Sequence, residues 1–151
     1  MLTTPHSLTG ATIAVLIPNP IISVPFAVGS HFILDSIPHW QETLYPYKPH
    51  KGTWIRVSLD VALSFGLVWW ITQSHSDISA VIWLTAFAAN VPDFDFIVVL
   101  IPKLLGFKLL KSFWDWHCKI QRETSSLWGL VPQIILFIAC LMISLPLNLS
   151  S

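Results

Sequence analysis

The sequence predicts an all-α, polytopic membrane protein, and three observations support this fold class. Hydrophobic residues make up 54% of the 151-residue chain and charged residues only 11%, whereas soluble domains carry about 25% charged residues. Two apolar segments have the length of about 20 residues that a helix needs to cross the hydrocarbon core of a bilayer. Prolines divide the other apolar sequence into shorter helical pieces. The length suits a single helical membrane domain over residues 1–151.

The two long spans are predicted at residues 54–73 and 127–147. The first contains Arg56 and Asp60, and the second lies in a stretch without any ionisable side chain from Thr124 onwards. Shorter helices are predicted at 4–17 and 21–37, as a hairpin around Pro18-Asn19-Pro20, and at 78–91, ended by Pro92. Residues 96–105 either continue that helix or lie along the membrane interface. Residues 107–121 predict an amphipathic interfacial helix, and the total is about five membrane helices plus this one.

Basic residues predict the orientation, because Lys and Arg accumulate in cytoplasmic loops. They cluster in the 38–56 loop and in the 102–124 segment, whereas the 74–77 turn and the C-terminal tail carry none. We therefore expect the N-terminus and both basic segments on the cytoplasmic side of the cell inner (plasma) membrane. The formal net charge is zero, which gives no reason to expect a nucleic-acid partner. The lipid bilayer is the expected partner, and the oligomeric state stays open.

Histidines and aspartates gather at the predicted cytoplasmic ends of the helices. His31 and Asp35 are spaced i and i+4, so both side chains share one helix face, and His39 follows Pro38 in a loop that can curl back. Imidazole and carboxylate ligands together suit zinc, and also manganese or iron. We expect one or two divalent ions, and the candidate ligands are His6, His31, Asp35, His39, Asp93, Asp95 and His117.

Each candidate also has a simpler interpretation. His31 and Asp35 would form a hydrogen-bonded pair in a soluble helix, but ionisable groups in membrane helices are costly and usually functional. Asp93 and Asp95, in Pro92-Asp93-Phe94-Asp95, fit an N-cap and a first-turn residue. His117 also fits an interfacial histidine between aromatic anchors.

Asp60 has two interpretations that the sequence leaves open. It is spaced to pair with Arg56 at i−4. It could equally orient a metal-bound histidine from behind the ligand.

Three motifs carry a family resemblance: Thr4-Pro5-His6-x-x-x-Gly10, the segment from His31 to His39, and Pro92-Asp93-Phe94-Asp95. Together they resemble a bacterial inner-membrane family of LexA-regulated, metal-dependent hydrolases. They are more distantly similar to zinc-dependent phospholipase C, a helical enzyme with His and Asp ligands around clustered zinc ions. The segment from His117 to Gln121 is similar to a His-x-x-x-Gln element of short bacterial relatives. Pro5 departs from the family, which has Thr directly before His.

The resemblance and the metal ligands imply a membrane-bound metal-dependent hydrolase that acts on a phosphoester or phospholipid-like substrate at the cytoplasmic leaflet. Asp35 or Asp93 would double as the general base. Basic residues near the site would attract anionic head groups, and they are Lys48, Lys51, Lys108 and Lys111. The alternative is a metal-binding or ion-handling membrane protein without hydrolysis, which Asp60, the deepest acid, favours.

Overall fold

The computed structural model describes residues 1–42, 51–97 and 101–145, and within these ranges the chain is helical, without a β-strand. Six α-helices lie in the described part: α1 (Thr3–Leu16), α2 (Pro20–Asp35), α3 (Lys51–Ser74), α4 (Ser79–Ala88), α5 (Lys108–Ile120) and α6 (Ser126–Ser144). Short 3₁₀ turns at Ser76–Ile78, Val91–Phe96 and Pro102–Gly106 connect them. The all-α prediction is confirmed.

The helix bounds follow the local signals in the sequence. The α1–α2 hairpin forms around Pro18 and Asn19, and Asn19 caps α2 by accepting a hydrogen bond from the Ile21 amide at 3.0 Å. Both long spans and the amphipathic helix form within a few residues of their predicted bounds. Lys48, the end of the last predicted span and residues 98–100 lie outside the described residues.

The helix predicted at 78–91 is shorter than expected. It ends at Ala88, and the chain then turns through the 3₁₀ segment Val91–Phe96. The Asn90 side-chain amide donates to the Ala86 carbonyl at 2.8 Å. Such a side-chain bond competes with the backbone hydrogen bonds that would continue the helix. The helix therefore ends at Ala88, before it reaches Pro92.

Helix α1 lies at the centre of the bundle and packs against α2, α3, α4 and α6. Its buried side chains are mostly small, which allows close approach of neighbouring helices. The core around it combines residues of four helices: Leu8, Ala11 and Ala14, with Val68, Ile71, Ile82, Ala86 and Cys140. Because His6 belongs to this central helix, the packing of α1 against α2 places it beside His31 and Asp35.

Two helices, α3 and α6, are long and apolar enough to cross a membrane. Only a small share of each is buried inside the protein, whereas the core helix of a soluble protein would be mostly covered. Large apolar side chains on both are exposed, among them Leu59, Phe65, Leu127 and Ile135. Exposed apolar side chains in this number mark contact with lipid or with another protein.

Gly10 fixes the distance between α1 and α4. A Cβ atom at this position would lie 2.5 Å from the Thr85 carbonyl oxygen and 2.8 Å from the Ala86 Cα. Both contacts involve backbone atoms, which cannot rotate away as a side chain would. The motif therefore contains both a candidate metal ligand, His6, and the glycine that allows α1 to pack closely against α4.

We predict that Gly10→Ala lowers the thermal midpoint of unfolding in detergent by roughly 2–10 °C, because overpacking a close helix contact costs about 1–3 kcal/mol. Gly66→Ala is the matched control, since a Cβ at Gly66 meets nothing within 4 Å. The control should hold or raise the midpoint, because alanine favours helix over glycine. Equal destabilisation by both substitutions would contradict this account of the α1–α4 contact.

Candidate metal centre

Asp35 lies at the C-terminus of α2 and is the centre of the polar cluster. Its side chain is fully buried, and nitrogen atoms of His31 on the same helix and of Met1, His6 and His117 lie within 3.2 Å of its two oxygens. The Nε2 atoms of His31 and His117 lie 3.1 and 3.2 Å from Oδ2. A carboxylate in such a position is satisfied only if its surroundings supply positive charge.

Four ligand atoms converge on one side of this carboxylate: Nε2 of His31, Nε2 of His117, Oδ2 of Asp35 and a carboxylate oxygen of Asp93. The two Nε2 atoms are 3.3 Å apart, and His31 Nε2 lies 3.4 Å from Asp93 Oδ1. Ligands at 2.0–2.1 Å from a tetrahedral zinc ion are separated by about 3.3 Å. Four of the six separations, at 3.1–3.4 Å, match those edges, and all four atoms lie within 4.8 Å of one another, so this group can hold a metal ion.

The hydrogen bonds behind the histidines leave their lone pairs directed into the cluster. His31 donates from Nδ1 to the Ala89 carbonyl at 2.7 Å, and His117 donates from Nδ1 to Asp95 Oδ2 at 2.7 Å. A carbonyl or an ionised carboxylate only accepts, so Nδ1 carries the hydrogen in each ring. In their neutral forms the two imidazoles would face each other with unprotonated Nε2 atoms. Their approach to Asp35 requires a cation between them, either protons or a metal.

A second group of nitrogens surrounds the other oxygen of Asp35. His6 Nε2 lies 3.2 Å and His39 Nε2 lies 4.0 Å from Oδ1. His6 is close but not aligned for a hydrogen bond, and neither Nε2 atom has a hydrogen-bond partner in the described residues. The Met1 amino group lies 2.6 Å from the same oxygen and 3.0 Å from Gln41 Oε1. Cationic charge is therefore already directed at this side of the carboxylate.

Backbone pairing positions His39 beside the cluster. Its amide donates to the Arg122 carbonyl and its carbonyl accepts from Thr124, both at 2.9 Å. Helix α6 packs against this segment at Gly129, where a Cβ would lie 2.2 Å from the Trp40 nitrogen. His39 Nδ1 donates to the Ile37 carbonyl at 2.8 Å, which leaves Nε2 facing Asp35. The return of His39 from the loop toward the cluster is as predicted.

The charged surroundings shift the pKa values of cluster residues, among them His117 and Asp93. Burial lowers the pKa of His117, but hydrogen bonds to Asp35 and Asp95 outweigh burial and raise it to about 9. Burial acts to raise the pKa of Asp93, and the neighbouring His31 imidazole holds it below its usual value. Both shifts have the cause expected of carboxylates and imidazoles that share one buried site.

The seven predicted ligands fall into two sets. His31, Asp35, Asp93 and His117 form the four-atom group, and the other three lie around it. His6 and His39 approach the second oxygen of Asp35, and Asp95 contacts the outer nitrogen of His117. Asp95 therefore acts on the site by orienting a ligand, an arrangement common behind metal-bound histidines.

Asp60 has a role that neither sequence interpretation included. Arg56 pairs instead with Glu42. The Asp60 carboxylate accepts from the amides of Thr3 at 2.6 Å and Thr4 at 3.3 Å. It thus caps the N-terminus of α1. Asp60 supports the site indirectly, through the helix that carries His6.

Sequence reasoning missed two positioning groups. The Ala89 carbonyl that receives the His31 hydrogen bond is a backbone atom and leaves no trace in the sequence. Gln133 accepts from the Leu2 amide at 3.2 Å and donates to the Trp40 carbonyl at 2.8 Å. A buried amide inside an otherwise apolar helix is a signal that could have identified Gln133.

Comparison with family models, curated proteins and solved structures finds no match.

We predict that purified protein contains about one tightly bound transition-metal ion per chain at the four-atom group. His31→Ala, Asp93→Ala and His117→Ala should each abolish stoichiometric binding, because each removes one ligand. Inductively coupled plasma mass spectrometry of protein purified without added chelator measures the content.

His75→Ala is the matched control, since His75 lies at the opposite end of the bundle and bonds the Ser144 carbonyl at 2.8 Å. Asp95→Asn should retain the ion but weaken its affinity by roughly 10–100-fold, as loss of a supporting carboxylate does. Wild-type protein without stoichiometric metal, or unchanged content in His31→Ala and Asp93→Ala, would show that the cluster is a proton-bearing ion-pair network.

Proposed function

We propose that this protein is a membrane-bound metal-dependent hydrolase that cleaves a phosphoester or phospholipid-like substrate at the cytoplasmic leaflet of the inner membrane. The observation that carries the proposal is the buried group of two imidazole nitrogens and two carboxylate oxygens at tetrahedral spacing. Two of its members, Asp93 and His117, also line a large cavity. A metal ion with only a structural role would not need ligands that line a cavity.

The proposed membrane arrangement has several crossings. Helices α3 and α6 span the bilayer, and α1, α2 and α4 fill the space beside them as shorter helices, for about five in total. The amphipathic α5 lies along the interface, with Lys108 and Lys111 exposed. Basic residues of this segment and the adjoining turn lie near the polar cluster, which supports a cytoplasmic site.

Zinc is the proposed metal, with manganese or iron as alternatives, because the ligand set is mixed nitrogen and oxygen. His6, His39 and Asp35 are the residues that would hold a second ion. The Nε2 atoms of His6 and His39, which are buried and have no hydrogen-bond partner within the described part of the chain, support this assignment. The Met1 amino group, already 2.6 Å from Asp35 Oδ1, would have to yield its place.

A divalent ion at the four-atom group would polarise a phosphoryl oxygen and lower the pKa of a water to about 7. Between the two candidate bases, Asp93 is favoured, because its side chain is one-third exposed and reaches the cavity, whereas Asp35 is fully buried. Asp93 would take a proton as the water oxygen bonds to phosphorus. The ester P–O bond breaks, and the leaving oxygen receives that proton.

The alternative function, ion handling without hydrolysis, has less support. Asp60, the acid that favoured it, caps α1. Beyond the cluster, the described core toward the far end is built from apolar residues such as Leu8, Val68 and Ile82. Its buried polar groups are hydroxyls, such as those of Thr12 and Ser144, and no buried carboxylate or imidazole lies among the described residues there. An ion path across the bilayer would need ionisable groups along this length.

We predict metal-dependent turnover of phosphodiesters or phospholipids presented in mixed micelles, measured by release of the phosphomonoester or the alcohol. A chelator should abolish turnover, and restored zinc should recover it. Asp93→Asn should lower kcat by roughly 10²–10⁴-fold, the usual contribution of a general base, while His75→Ala leaves kcat unchanged. Stoichiometric metal without chelator-sensitive turnover on any member of the panel would exclude hydrolysis and favour the metal-binding alternative.

A further inference from the structure

A cavity of about 930 Å³ extends from the polar cluster along the groove between α3 and α4. Its volume lies at the upper end of the 300–1,000 Å³ range of small-molecule sites. One end is polar and includes Asp93, His117 and Gln121. The other end is apolar and reaches Val68 on α3 and Trp83 on α4. The cavity is thus amphipathic along its length, with the candidate metal centre at the polar end.

One face of α3 lines the groove at Val57, Val61, Ser64 and Val68, and Asp60 also lines it between the first two. Beyond Asp60 the α3 lining is apolar apart from Ser64. From Val61 to Val68 this part is about 10 Å long at the helical rise of 1.5 Å per residue, which is less than the roughly 15 Å of hydrocarbon in one leaflet. A ligand with its polar end at the cluster would extend its apolar part past Asp60 toward the bilayer midplane.

Aromatic side chains define the sides and the far end of the groove. The rings of Phe65 and Trp83 meet with centroids 5.0 Å apart and connect α3 to α4 at the apolar end. Phe65 and Phe87 are more than half exposed, so the groove borders the outer surface of the bundle. That surface is the one that α3 presents to lipid if it spans the membrane.

We propose that this cavity binds one acyl chain of an amphiphilic substrate, which enters from the bilayer between α3 and α4 and places its phosphoester at the metal centre. The inference rests on the proposed hydrolase function for the identity of the reacting head. The binding of the chain itself stands on the shape and lining of the cavity. Phe65 and Trp83 then set the longest chain that fits.

The charges at the polar end favour one class of head group. Glu123 lies there with Asp93 and Asp95, and the described residues that line the cavity include no Lys or Arg. Glu42 also lines it but is paired with Arg56, and the Met1 amino group lies beside Asp35. Lys51, Lys108 and Lys111 do not reach it, so the expectation that they recruit an anionic head finds no support at the cavity. An ammonium-bearing zwitterionic phosphoester complements these carboxylates, whereas an anionic lipid does not.

The test is photocrosslinking in nanodiscs with a zwitterionic phospholipid that carries a diazirine at the end of one acyl chain. Adducts should concentrate on the apolar end of the groove, at Phe65, Val68 and Trp83. Val61→Trp fills the groove and should reduce these adducts by about tenfold, a loss equivalent to one decade in affinity. Leu63→Trp is the matched control, because Leu63 is exposed on α3 and does not line the cavity; its adducts should stay at the wild-type level.

Two further arms complete the experiment. Trp83→Ala should shift the strongest labelling to a longer chain, which keeps the proposal testable if Val61→Trp misfolds. An anionic lipid with the same chain should label the groove more weakly. Labelling spread evenly over exposed apolar residues of α6, or equal labelling of Val61→Trp and Leu63→Trp, would overturn the proposal.

Labelling needs neither metal nor turnover, so the assay is run with and without chelator. Groove-specific labelling in a protein without hydrolytic activity would leave a lipid-binding site and remove only the proposed reaction. Chelator-sensitive hydrolysis without groove labelling would leave the proposed reaction and remove the lipid-binding site.

Discussion

The arrangement around Asp35 is the constraint on which the rest of this structure depends. Two imidazole nitrogens whose outer positions are already committed, at His31 and His117, face one buried carboxylate and a second acid, Asp93. Electron-rich atoms this close repel one another unless a cation lies between them. The central position of α1, the cap that Asp60 provides and the backbone pairing of the His39 segment all hold ligands against that repulsion.

Much of this site follows from the sequence because its strongest signals are local. His31 and Asp35 share a helix face by spacing alone, and proline breaks placed the other ligands at the same helix ends. What the sequence could not provide are backbone partners and relative distances. The Ala89 carbonyl behind His31 and the second-oxygen position of His6 depend on how α1, α2 and α4 pack. The early end of α4 was missed because one side-chain hydrogen bond, from Asn90, outweighed an apolar pattern.

The cavity connects the cluster to the proposed membrane environment. A buried metal centre that only tied helices together would be closed on all sides, yet Asp93 and His117 border a space with an apolar floor along α3 and α4. Because one cavity contains both regions, a substrate could place its head group at the polar cluster while its acyl chain lies in the apolar groove. It also gives a physical reason for the exposed aromatic rings of Phe65 and Phe87, which lie where a lipid would leave the bilayer.

The most direct test of the central claim is X-ray absorption spectroscopy on the zinc-loaded protein. The account predicts a first shell of nitrogen and oxygen at about 2.0–2.1 Å with no sulfur, because Cys118 and Cys140 lie outside the cluster. The outer-shell scattering of two imidazoles should be present and should be lost in the doubly substituted His31→Ala, His117→Ala protein. Sulfur ligation, or a spectrum that the double substitution leaves unchanged, would contradict the assignment of the metal to Asp35 and its two histidines.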